Sequence, residues 1–141
     1  MIRTSLAAAC GVLLTALATT PAVATPAPTR IAPDALAARV AVAPWYVDQG
    51  RINGMIQNRS DRTVLEVVVL VRYGWLWARP ELADGDEPGW AEYVTLDEPI
   101  APGDSLPFVY APGRPLPVRD DGHFVPSVEI VSATLQPPPA S

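Results

Sequence analysis

The chain reads as all-β: a single antiparallel, immunoglobulin-like β-sandwich of about seven strands, preceded by a cleaved signal peptide. Three observations lead there. Apolar runs are short and rich in β-branched residues. Pro and Gly clusters interrupt them about every 8 to 15 residues, the punctuation of sandwich strands. The segment Thr63 to Trp77 (TVLEVVVLVRYGWLW) alternates like a ribbon with one fully apolar face.

The amino terminus carries an address. Arg3 precedes an apolar stretch from Leu6 to Leu17, and Ala22-Val23-Ala24 offers small side chains where a signal peptidase requires them. Cleavage after Ala24 makes residues 1–24 the signal and leaves 117 residues, enough for one domain. The expected location is periplasmic or secreted. Cys10, the one cysteine, leaves with the signal, so the mature chain holds no disulfide. A lipoprotein signal at Leu6-Ala7-Ala8-Ala9-Cys10 is disfavoured, because almost no apolar segment precedes that cysteine.

Residues 25–37, rich in Pro and Ala, read as an extended tether. Residues 38–136 form the sandwich domain, and 137–141 a Pro-rich tail. The first strand is expected over Arg39 to Val47, with Val40 and Val42 on one side and a break or edge at Pro44. The second covers Gly50 to Asn58, where Ile52 and Ile56 alternate with polar residues. Asn58-Arg59-Ser60-Asp61 is a turn, since short polar side chains hydrogen-bond their own backbone.

On the long strand, Leu65, Val67, Val69, Val71 and Tyr73 fall on one face. The six-residue step from Glu66 to Arg72 breaks any helical polar stripe. Gly74 marks an expected bulge. Residues 78–90 form an acidic loop. Short strands follow at Glu92 to Leu96 and Ser105 to Tyr110, flanking a tight turn at Ala101-Pro102-Gly103-Asp104. Residues 111–122 read as irregular, and Pro126 to Leu135 closes the fold with Val128 and Ile130 facing one way. No convincing helix is read.

Composition excludes several function classes. All ten basic residues are Arg, a bias of GC-rich bacterial genomes, and the net charge is −5. Removing the signal, and Arg3 with it, makes the charge −6. Nucleic acid is therefore not an expected partner, because its recognition needs a basic stripe. An anionic membrane surface is disfavoured for the same reason. No apolar run of membrane-spanning length follows the signal.

Catalytic and metal chemistry is thinly supplied. His123 is the one imidazole and reads as an exposed loop residue beside Asp120 and Asp121. A soft-metal site needs several His, Cys or Met ligands, and after processing only His123 and Met55 remain. Asp84-Gly85-Asp86-Glu87 starts like a calcium loop but has Pro88 and Thr95 where oxygen ligands belong. No cofactor is expected. Asn58-Arg59-Ser60 matches a glycosylation triplet, although the turn explains those residues sufficiently.

Gly50-Arg51-Ile52-Asn53-Gly54 followed by Ile56-Gln57-Asn58-Arg59-Ser60 resembles the hairpin before the long strand of FxLYD-type domains. The apolar strand Val64 to Tyr73, and Ile100-Ala101-Pro102-Gly103-Asp104-Ser105-Leu106-Pro107-Phe108, resemble that family's later segments. The resemblance spans residues 38–136. It departs where Tyr73-Gly74-Trp75-Leu76-Trp77 replaces an Asp/Gly turn and a long loop follows. It implies an exported, immunoglobulin-like, non-enzymatic module with no ligand residue to carry over.

The aromatic residues Trp45, Tyr46, Tyr73, Trp75, Trp77, Trp90 and Tyr93 group in two neighbourhoods. Trp75, Trp77 and Trp90 are the candidate binding residues. Exposed, they offer a platform to sugar rings or an apolar partner; buried, they plug the sandwich beneath the 78–90 loop. The expected function is a non-enzymatic interaction module of the cell envelope, contacting a protein or glycan through this aromatic end or through a sheet edge. The alternative is a small exported hydrolase using carboxylates of the 78–90 or 112–123 loops.

Overall fold

The computed structural model describes residues 24–83 and 85–139. The expected signal peptide, Cys10 among it, lies outside the described residues except for Ala24. So does Asp84 of the acidic loop.

Seven strands form two antiparallel sheets. They are β1 (Thr29–Arg30), β2 (Val40–Asp48), β3 (Arg51–Asn58), β4 (Val64–Trp77), β5 (Trp90–Leu96), β6 (Ser105–Tyr110) and β7 (Gly122–Leu135). One sheet has the order β1-β7-β4-β5 and the other β2-β3-β6. The chain passes between layers after β1, after β3, after β5 and again after β6. Between the layers lies a core that includes Val40, Ile52, Ile56, Val64, Val67, Val69, Val71, Tyr73, Phe108 and Leu135. Among the described residues no helix is long and apolar enough to cross a membrane.

The expected tether is partly structured. Pro33–Arg39 is a short helix, α1, and Leu36 is buried. Pro33 occupies the first helical turn, where a missing N–H costs nothing. The alanines that follow have high helix propensity. Asp34 in the first turn and Arg39 in the last complement the helix dipole. Ile31, just before α1, is also buried, so this segment belongs to the core.

Strand β4 has a different inner set at its start. The pairing slips between Val64 and Glu66, which sends Val64 inward, fully buried, and leaves Leu65 half-buried. A second irregularity falls at Val68/Val69, not at Gly74, which stays in register with Val125. Alternation therefore continues unbroken from Val69 to Trp77, and Tyr73, Trp75 and Trp77 share the inner face. β7 begins at Gly122, earlier than expected, because it pairs with this extension out to Trp77. The break at Pro44 is real: the β2–β3 register shifts between Val42 and Trp45.

Two of the interlayer crossings meet at Asn58. Its Nδ2 donates to Arg62 O and Ile100 O, each at 2.8 Å, and its Oδ1 accepts from Ser60 N at 2.9 Å and Ser60 Oγ at 2.7 Å. Its backbone N–H donates to Asp104 O, and its carbonyl accepts from Gly103 N, both at 2.9 Å. Next to it, Val64 and Ile100 exchange backbone hydrogen bonds of 2.9 and 2.8 Å. Gly103, at φ +80°, makes the expected tight turn, closed by Asp104 N–H donating to Ala101 O at 3.0 Å. Every polar atom of this buried side chain is satisfied. Nδ2, the atom a glycan would need, is consumed inside the fold.

Replacing Asn58 with Ala removes four side-chain hydrogen bonds, although Ile100 O keeps Val64 N–H and Arg62 O keeps Ser60 Oγ. Each lost bond contributes about 0.5–1.5 kcal/mol net. Asn58→Ala is expected to lower the unfolding free energy by about 2–4 kcal/mol in urea denaturation, with the slope unchanged. Ser60→Ala removes the hydroxyl contacts to Asn58 Oδ1, Arg62 O and Arg62 N–H but keeps Ser60 N–H on Asn58 Oδ1, and is expected to cost less than Asn58→Ala.

Candidate functional site

One end of the sandwich is aromatic. Tyr73 on β4 stacks on Trp90 of β5 at 4.9 Å between centroids and 20° between planes. Phe124 of β7 meets Tyr73, Trp75 and Trp90 edge-on at 6.4, 4.7 and 5.7 Å. Trp77 meets Trp75 at 6.1 Å and 84°. Each such pair contributes about 0.5–1.5 kcal/mol beyond its burial. Tyr73 also ties this end to the opposite layer, its hydroxyl donating to Gly50 O at 2.8 Å. Burial, then the neighbouring Tyr110, pushes the Tyr73 pKa up.

The three candidate residues are thus brought together, but as interior groups. Trp75 is 8% exposed, and Trp77 and Trp90 are half-buried. Gly122 allows this packing, because a Cβ there would lie 2.4 Å from Leu76 O and 2.6 Å from Trp75 Nε1. The bare aromatic platform is not formed. Trp45 likewise faces inward, opposite Gly54.

Two arginines of the segment between β6 and β7 lie on the rings. Arg114 stacks on Trp90 at 5.4 Å, and Arg119 lies 5.5 Å from both Trp75 and Trp77. Arg119 Nε donates to Asp121 Oδ1 at 2.8 Å, and its terminal nitrogen bonds the second carboxylate oxygen. Asp121 also contributes its backbone carbonyl to Ala78 N–H at 2.8 Å. The hydrogen bond from Arg119 holds the Asp121 carboxyl below its ordinary pKa.

Phe124, Arg114 and Arg119 were missed in the sequence. For Phe124 a signal existed: it shares the two-residue phase of Pro126, Val128 and Ile130. The arginines had none, because a loop cation stacks on a ring only after the fold is made. His123 is exposed and lies on β7 opposite Leu76, not in a loop. Among the described residues, no three His, Cys, Asp or Glu side chains group as a metal site.

The second feature is the side of the sandwich between β2 and β7. β1 pairs with β7 only at Thr134 and Leu135, and Ile31 N–H adds one bond to Ala133 O. From Gly122 to Ser132, the β7 edge opposite β4 has no paired strand among the described residues. Pro126 is tolerated mid-strand because that flank is open. Alongside runs a groove of about 460 Å³, lined by Leu36, Val40 and Val42 on one wall and by Val128, Ile130 and Val131 on the other. Glu129 is the one ionisable group in its lining, and no aromatic ring lines it.

No family model, curated protein or solved structure matches this chain.

The lowered Asp121 pKa fixes a pH dependence. A carboxylate whose pKa falls on folding stabilises the fold above the unfolded value, and that stabilisation is lost as pH drops through the folded one. Acidification below the ordinary carboxylate range is expected to release the Arg119 lid and change the near-ultraviolet dichroism of Trp75 and Trp77. Asp121→Asn is expected to lack this step; an identical acid transition in that variant would contradict the assignment.

Proposed function

We propose that the chain is a non-enzymatic, exported interaction module of the bacterial cell envelope that takes an extended apolar segment of a partner protein along the open edge of β7. The observation that carries this reading is the unpaired β7 edge beside an apolar groove. An unpaired strand edge presents alternate N–H and C=O groups, which an added strand satisfies, while adjoining pockets select its side chains. Here the pockets are lined by Val128 and Ile130 from one layer and Val40 and Val42 from the other. A groove with no aromatic ring and a single ionisable group suits aliphatic side chains and offers a sugar ring nothing to stack on. Export rests on the amino-terminal pattern of residues 1–24.

The same geometry favours interaction over the hydrolase alternative. Asp121 is bound to Arg119, and His123 stands on a strand's outer face. Neither arrangement pairs an acid with a base in a pocket, as hydrolysis requires.

A photo-cross-linking side chain at Val131 tests this in the intact envelope. The expected adduct is a protein cross-linked through an extended apolar segment. A synthetic peptide of that segment is expected to slow hydrogen exchange at Val128 and Ile130, and Val131→Glu, at an exposed position of the groove, to abolish its binding without unfolding the domain. Equal adducts from Tyr46, on the outer face of the other sheet, would overturn the proposal. So would a glycan as the captured species, or peptide binding without β7 protection.

A further inference from the structure

Trp75 and Trp77 meet at 84°, so their faces form two walls of a corner. A guanidinium fills it: the Arg119 carbon lies 5.5 Å from each ring. A cation over an indole face is attracted by the ring quadrupole, and two perpendicular faces attract it from two sides. Negative charge surrounds the corner in excess. Asp121 engages Arg119 directly, and Asp120 and Asp86 act on the same guanidinium. Asp121 holds the resident cation, and two further carboxylates add negative potential at it.

The occupant is lightly held. Among the described residues no backbone hydrogen bond ties 112–120 to the sandwich; side chains of Arg114 and Leu116 hold the segment's start, and the next backbone anchor is Asp121 O to Ala78 N–H. Val118, beside Arg119, is fully exposed. The Arg119 side chain is itself 34% exposed. Its departure therefore requires breaking one ion pair and two ring contacts, with no strand or helix to unravel.

We propose that the Trp75–Trp77 corner is a cation-binding site for a guanidinium group, and that Arg119 is its intramolecular plug, displaced when a ligand's guanidinium enters. Entry leaves Asp120 and Asp121 to pair with the incoming charge. The site is separate from the β7 groove and stands or falls independently of it.

The test uses the full mature chain titrated with methylguanidinium, followed by the indole N–H signals in nitrogen–proton correlation spectra. Arg119→Ala is expected to bind it saturably, with shifts at Trp77 and Trp75, and at least about tenfold more tightly than the unaltered protein, as removal of two cation–ring contacts and an ion pair implies. Arg119→Gln removes the plug's charge and keeps Asp121 for the incoming cation. It is expected to bind more tightly than the unaltered chain, which keeps the test decisive if Arg119→Ala does not fold. Adding Trp77→Leu to either variant is expected to abolish binding. A folded Arg119→Ala protein with no saturable response, or one whose response survives Trp77→Leu, would overturn the proposal. Equal binding by urea, the same planar shape without charge, would overturn it too.

Discussion

The fold depends on one buried amide. A sandwich is two sheets whose strands belong to one chain, so the segments that change layers decide whether the layers form together. Here the passage from β3 to β4 and the passage from β5 to β6 are both fastened to Asn58. Its side chain and backbone together make six hydrogen bonds, three within the β3–β4 passage and three to the β5–β6 passage. No apolar residue can do this, and a carboxylate would set negative charge against two carbonyl oxygens. Val64 and Ile100 then pair beside it and carry the contact into the core.

From that fastening the rest of the architecture follows. With β3 and β4 fixed in opposite layers, the inner face of β4 runs from Val64 to Trp77, and its length exceeds what β5 covers. The surplus pairs with the start of β7, and between them the two strands carry Trp75, Trp77 and Phe124 into the aromatic end. Tyr73 bonds this end back to the β2–β3 turn at Gly50. The side between β2 and β7 has no comparable closure. β1 is two residues long, and α1 fills only part of the gap, so an apolar groove remains. One end of the molecule is sealed by rings and arginines; one side is left open.

Much of the fold was legible because β structure writes a two-residue period. The strand at Val64–Trp77, the inward Ile52 and Ile56, and the Pro102-Gly103 turn all follow from local pattern. What escaped depended on register or on distant partners. The bulge that exchanges Leu65 for Val64 is set by pairing with β7, and nothing within β4 announces it. Helix α1 hid in a proline-rich stretch whose one favourable proline stands at a helix start. Asn58 was readable as a turn residue, and it does make that turn with Ser60. Its larger role came from Ile100, forty-two residues away. The tryptophans were readable as a group, but burial under Arg114 and Arg119 was not, since those contacts cross loops without periodicity.

The Asn58 junction holds the two layers in a single cooperative unit, which native-state hydrogen exchange of the backbone amides at Asn58, Val64, Ile100 and Gly103 can read out. These four are expected to exchange only through global unfolding, with the same free energy and denaturant dependence as Val69 and Val71 in the centre of β4. Exchange at the junction through local opening, while the β4 centre stays protected, would contradict it.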